Sequence, residues 1–287
     1  MTTAEQQQPY DDAISSHRRA LLDRLFDLRG RHVLVTGAAS GLGRAVAETM
    51  ADAGADVTLV DVDSEALEEV AAELSGQDGS VHTAVCDVAD PSAVTSTVQE
   101  AATRFAGLDV VFANAGIAGA RRASAPDTAS LEHVRREDWD RVLSVNLTGM
   151  LYTIQATASV MRPRRSGRII VTASTAGLRA DPMVGYGYVA SKAAVVNVVR
   201  QAALDLAPYD VRVNAIAPGP FRTNIGGTGP RNPDAEAVWA RTVPLGRMGD
   251  PAEVQGLALL LASPASSFMT GAVVPVDGGA LALSHAL

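Results

Sequence analysis

From residue 31 onward the chain alternates short β-branched runs with stretches whose apolar residues recur every three or four positions. Continuous apolar runs fit strands buried on both faces, and the longer period fits helices laid against them. The pattern predicts strands at 32–36, 56–61, 81–85, 108–113, 168–172, 211–216 and 272–276. Between them it predicts helices over 41–53, 64–74, 91–105 and 137–161, a helix carrying Tyr188, and one over 251–261. Strand–helix alternation of this kind implies an α/β fold, a doubly wound parallel sheet with helices on both faces.

The first 27 residues fall outside that alternation and are read as an extension. Ile14, Leu21, Leu22, Leu25 and Phe26 sit at partly helical spacing, so a short amphipathic helix is expected over 11–26. No linker divides the remainder, and residues 28–287 are read as a single domain. Within it the glycine- and proline-rich segment at about 222–246, around a short helix with Trp239, suits a mobile lid.

Composition narrows the class. Apolar residues make up 47% and charged residues 20%, a balance that can bury a core. A net charge of −8 argues against nucleic acid or an anionic membrane as partner. A single cysteine, Cys86, excludes an intrachain disulfide, and the five histidines show no metal-ligand spacing. The polar N-terminus lacks a signal-peptide core, and the apolar run 256–262 is too short to span a bilayer. These observations imply a soluble, cytoplasmic protein without a metal.

The first strand–helix turn, Thr36-Gly-Ala-Ala-Ser-Gly-Leu-Gly43, brings in a ligand. Its glycines permit tight turning and close approach of phosphates, while the helix N-terminus offers free N–H groups and a positive dipole to a pyrophosphate. Gly37, Ser40, Gly41, Leu42 and Gly43 are therefore candidate dinucleotide contacts. Asp61 ends the second strand, where a carboxylate would accept hydrogen bonds from an adenosine ribose and repel a 2′-phosphate. Neither Ser40 nor Val62 supplies a compensating cation, so NAD(H) is expected rather than NADP(H).

Tyr188 and Lys192 lie four apart on one helical face. A phenol ordinarily titrates near ~10, and a nearby ammonium favours the phenolate. Lowering that value by roughly three units takes about 4 kcal/mol. One exposed lysine would not suffice, and an oxidised nicotinamide in a dry cleft could supply the rest. By itself the pair could equally be a surface tyrosine and lysine.

Taken together the chain resembles the short-chain dehydrogenase/reductase family, in its compact single-domain branch with a Rossmann fold. The resemblance spans about residues 28 to 280. It rests on Thr36 to Gly43, Asp61, Asp87, Asn114-Ala-Gly116, Asn146, Ser174, Tyr188-x-x-x-Lys192, Pro218-Gly219 and Asp277-Gly-Gly279, in that order. The family implies a catalytic set of Asn146, Ser174, Tyr188 and Lys192. Tyr188 would exchange the alcohol proton while a carbinol hydride passes to nicotinamide. Lys192 would hold the nicotinamide ribose and lower the tyrosine pKa, Ser174 would bond the substrate oxygen, and Asn146 would hold a water joining Lys192 to solvent. Asp87 and Val88 would meet adenine. Asn114, Ala115 and Gly116 would line the ribose, and Pro218, Phe221 and Thr223 the nicotinamide. The family also implies a homotetramer.

Ser174 precedes Tyr188 by fourteen residues, one more than the commonest family spacing, and Thr175 also carries a hydroxyl. Ser174 is preferred because Thr175-Ala-Gly177 matches the small segment that follows the family serine. Arg121, Arg122, Arg135 and Arg136 are read as solvated charges before an anion site. The reading is an NAD(H)-dependent enzyme interconverting a secondary alcohol and a ketone. An NADP(H)-dependent 3-oxoacyl-type ketoreductase and a non-catalytic dinucleotide sensor are the alternatives.

Overall fold

The structure, a computed structural model, describes residues 19–119, 130–225 and 233–283. Seven parallel strands form one sheet in the order β3-β2-β1-β4-β5-β6-β7. They are β1 (His32–Thr36), β2 (Asp56–Asp61), β3 (Val81–Val85), β4 (Val110–Ala113), β5 (Gly167–Thr172), β6 (Val211–Pro218) and β7 (Val273–Val276). The register pairs Val35 with Leu59 on one side and with Phe112 on the other.

Each central strand is apolar on both sides because helices cover both faces. Leu34, Val111, Ile169, Val171 and Val213 pack against α3 (Pro91–Arg104), α5 (Met150–Arg164) and α6 (Tyr186–Leu206). Val33, Val35, Phe112, Ile170 and Ile216 pack against α1 (Gly41–Asp52), α2 (Ser64–Leu74) and α8 (Gln255–Ala262). Chain order runs outward from β1 through β2 to β3 and then returns to β4 on the other side of β1. Neighbouring turns therefore diverge above β1 and β4, leaving a crevice at the carboxyl ends of the strands.

Three helices differ from the sequence expectation. The long helix over 137–161 is interrupted: α4 (Arg136–Leu143) leads into a π-helical turn (Ser144–Gly149) before α5. The helix at 251–261 begins as a 3-10 turn (Pro251–Val254), held by an Asp250–Glu253 capping box, and continues as α8. At the N-terminus residues 19–26 are helical, and 11–18 lie outside the described residues. Strand β6 runs to Pro218, two residues beyond its predicted end, and so carries its C-terminus to the crevice. No described helix is long and apolar enough to cross a membrane.

Candidate active site

The turn after β1 is shaped by what surrounds its glycines. Gly37 has φ 69°, and a Cβ there would lie 2.9 Å from the Ala115 Cα. A Cβ on Gly43 would overlap the Gly37 carbonyl, so only glycine lets α1 start this close beneath the turn. Thr36 locks the turn to the end of β4: its Oγ1 donates to the Phe112 carbonyl at 3.2 Å and accepts from the Asn114 and Ala115 amides at 3.0 and 3.1 Å.

Asp61 closes the turn from the β2 side. Its Oδ2 accepts the Ala39 N–H at 3.1 Å, and its Oδ1 accepts the Val62 N–H at 2.7 Å. These contacts fix the carboxylate at the wall of a cleft of about 590 Å³. Gly37, Ser40, Gly41, Leu42, Asp87, Val88 and the Asn114-Ala-Gly116 segment line the same cleft. Asp87 is exposed and accepts the Ala89 N–H at 2.9 Å, while Val88 is buried beside Gly149.

A second cavity, of about 370 Å³, contains Ser174, Tyr188 and Lys192. The two spaces share Leu42, Asn114, Gly116, Thr223, Asn224 and Ile225, so they adjoin along one wall. Of these two spaces, Pro218 and Phe221 line the second and Thr223 lines both. Phe221 is seated by a bridge to Gly249, whose missing side chain leaves room for the ring. Thr223 packs over Gly41, bringing the segment after β6 onto the glycine turn.

Lys192 departs from the exposed lysine considered in the sequence reading. It is 3% exposed, and burial lowers its pKa to about 8. Its Nζ donates to the Thr172 carbonyl at 2.7 Å and stands 5.8 Å from the Tyr188 ring centroid. Thr172 also donates from Oγ1 to Asn114 Oδ1 at 2.9 Å. The Asn114 amide nitrogen in turn reaches the Thr36 carbonyl at 3.0 Å. Lys192, β5, β4 and the glycine turn are thus joined in one hydrogen-bonded chain. Thr36 and Thr172 are the site residues that sequence reasoning passed over; Thr36 opened the glycine motif, but nothing in the sequence marked the Thr172 carbonyl.

Asn146 lies behind the cavity wall. It is 1% exposed, in the π-helical turn. Its Oδ1 accepts the Ile117 N–H and its Nδ2 donates to the Ile117 carbonyl, both at 2.8 Å. One carboxamide therefore satisfies a whole backbone residue beside Gly116.

Ser174 and Thr175 both line the cavity but are engaged differently. Ser174 Oγ accepts the Ala176 N–H at 3.1 Å, which leaves its own proton for another acceptor; Thr175 Oγ1 donates to the Pro218 carbonyl at 3.4 Å. Arg135 and Arg136 are exposed and pair with Glu137, Asp138 and Asp140. Arg121 and Arg122 lie outside the described residues. In the segment expected to form a lid, Trp239 and Glu236 of α7 (Pro233–Ala240) line the cavity. Arg222 Nε donates to Glu236 at 2.6 Å and Nη1 to Asp250 at 3.1 Å, tying α7 to the body.

A dinucleotide-type cleft adjoining a cavity with a tyrosine, a serine and a buried lysine defines a nucleotide-dependent oxidoreductase. The comparisons agree. A family model described as enoyl-(acyl carrier protein) reductase matches residues 37–280. A 3-oxoacyl-[acyl-carrier-protein] reductase from Thermotoga maritima is 36% identical over 252 residues, 88% of this chain and 98% of that protein. A cyclohexanol dehydrogenase from Rhodococcus sp. (strain TK6) is 37% identical over 268 residues, 88% and 96% of the two chains. A solved structure of NAD+-bound xylitol dehydrogenase superposes with a TM-score of 0.80 at 34% identity, covering 88% of this chain and 99% of its own. The chain belongs to the short-chain dehydrogenase/reductase family, and it is an oxidoreductase.

Proposed function

We propose that this enzyme interconverts a secondary alcohol and a ketone by hydride transfer to and from NAD(H), with Tyr188 as acid and base. The observation that carries the reading is the placement of Ser174, Tyr188 and Lys192 in one cavity that adjoins the Asp61-lined cleft. The Gly37–Gly43 turn and the Asp61 carboxylate fit an adenosine diphosphate moiety. The cofactor supplies the hydride acceptor.

In alcohol oxidation Tyr188 takes the hydroxyl proton at its phenolate oxygen. Ser174, whose proton is given to no other atom among the described residues, donates to the substrate oxygen and orients the carbinol. Thr175 is turned to the Pro218 carbonyl and supports the loop instead. Lys192, mostly protonated at neutral pH and with its Nζ 5.8 Å from the Tyr188 ring centroid, favours the tyrosinate. Asn146 keeps the Ile117 backbone in place at the cofactor wall and sits beside Lys192 and the helix of Tyr188 through Ser191, 3.4 Å away.

The negative Asp61 and the absence of a cation at Ser40 and Val62 support NAD over NADP. Residues 28–287 form the catalytic domain in this reading, with 222–246 as its lid, in a cytoplasmic homotetramer. A ketoreductase acting on 3-oxoacyl groups is the second reading, supported by the Thermotoga relative. Isotope transfer tests the chemistry itself. Deuterium placed on the carbinol carbon of a substrate alcohol must appear in the reduced cofactor; its loss to solvent would refute hydride transfer.

A further inference from the structure

We propose that Asp181 is the specificity-determining residue of the substrate cavity, and that it selects alcohols carrying additional hydroxyl groups. The inference rests on the oxidoreductase reading above. Asp181 lies in the loop between Ser174 and Tyr188 and lines the same cavity as both. Its Oδ1 accepts the Met183 N–H at 2.9 Å, an Asx-type turn that sets the direction of the carboxylate.

No cation among the described residues pairs with it. Arg179, two residues away, donates instead to the Ala280 carbonyl at 2.6 Å. Arg222 is occupied by Glu236 and Asp250, and Lys192 by the Thr172 carbonyl. The Arg222–Glu236 pair is internally neutral, so among the described residues lining the cavity Asp181 is the carboxylate without a cationic partner.

A carboxylate is acceptor-only, and one backbone N–H leaves most of its capacity open. Hydrogen bonds to charged groups contribute more than neutral ones, so a donor on the substrate is favoured there. The reacting hydroxyl cannot be that donor, because Ser174 and Tyr188 take it. A further hydroxyl on the same molecule can. Val184, Trp239 and Met248 line the cavity as well and provide an apolar wall for the carbon chain. A substrate with a carboxylate or phosphate at that end meets a like charge.

The test compares xylitol with cyclohexanol on the wild-type enzyme and on Asp181→Asn and Asp181→Ala. The Asn variant keeps the size of the side chain, and the Ala variant removes it. Either change should lower the xylitol-to-cyclohexanol ratio of kcat/KM by about tenfold or more, chiefly through KM for xylitol. An unchanged ratio in both variants overturns the proposal. A binding measurement separates this from the reaction itself. In a Tyr188→Phe background with NADH bound, xylitol should quench or shift the cofactor fluorescence saturably, and Asp181→Asn should weaken that binding about tenfold. Selective binding without turnover by the wild type would uphold Asp181 and count against the proposed alcohol–ketone reaction. Turnover without selectivity would do the reverse.

Discussion

The ammonium of Lys192 is seated on the main-chain carbonyl of Thr172, 2.7 Å away, in a position 3% exposed to solvent. A carbonyl dipole only partly replaces lost hydration, and burial lowers the lysine pKa from 10.5 to about 8. The unfolded chain therefore binds more protons than the folded one between pH 8 and 10.5, and stability should rise with pH across that window. Below pH 8 both states are protonated and the penalty of burial is fully present. Relative to Lys192→Met, the unliganded wild type should gain about 1.5 kcal/mol between pH 8 and 9.5. Urea unfolding of both proteins at the two pH values measures it; a constant difference would contradict a depressed lysine pKa.

Asn146 and Ile117 form the other buried link. Asn146→Ala removes the partners of both the Ile117 N–H and its carbonyl. Leaving two part-buried backbone groups unpaired should cost about 1–2 kcal/mol in denaturant unfolding. Cofactor affinity should fall with it, because Ile117 borders the dinucleotide cleft. Full stability in the variant would show that water replaces the side chain without loss.

Ser174 and Thr175 can be told apart by turnover. Ser174→Ala should lower kcat by about 100-fold or more, since its donor acts on developing charge. Thr175→Ala removes one long bond to the Pro218 carbonyl and should act mainly on stability. The opposite order in single-turnover rates would move the substrate contact to Thr175.

In the proposed function Asp61 sets the choice between the two nicotinamide cofactors. Asp61→Asn keeps the shape but removes the charge that disfavours a 2′-phosphate. The ratio of NADPH to NADH dissociation constants should fall by about tenfold. Fluorescence titration of both cofactors reads this directly, and an unchanged ratio would place selectivity elsewhere.

Much of this architecture was legible before the structure. The central strands are buried on both faces, so β1, β2 and β6 read as apolar runs, and Gly37 and Gly43 occupy positions where a Cβ has no room. Interactions through main-chain atoms left no trace. The Thr172 carbonyl under Lys192 carries no side-chain signature, and nothing in the sequence named the Ile117 backbone as the partner of Asn146. Helix interruptions were missed for a similar reason. The 3.6-residue pattern runs on through Ser144–Gly149, while the hydrogen-bond ladder changes. Asp181 had no motif to mark it, and only the fold sets it beside Ser174 and Tyr188.

The most direct test is cofactor reduction by purified protein, followed at the reduced-nicotinamide absorbance band. Wild type and Tyr188→Phe are supplied with NAD or NADP and with a panel of polyols and cyclic secondary alcohols. The wild type should turn over, faster with NAD, and Tyr188→Phe should lose about 100-fold or more with cofactor binding retained. Equal turnover by Tyr188→Phe would contradict the role of the phenol as acid and base in this enzyme.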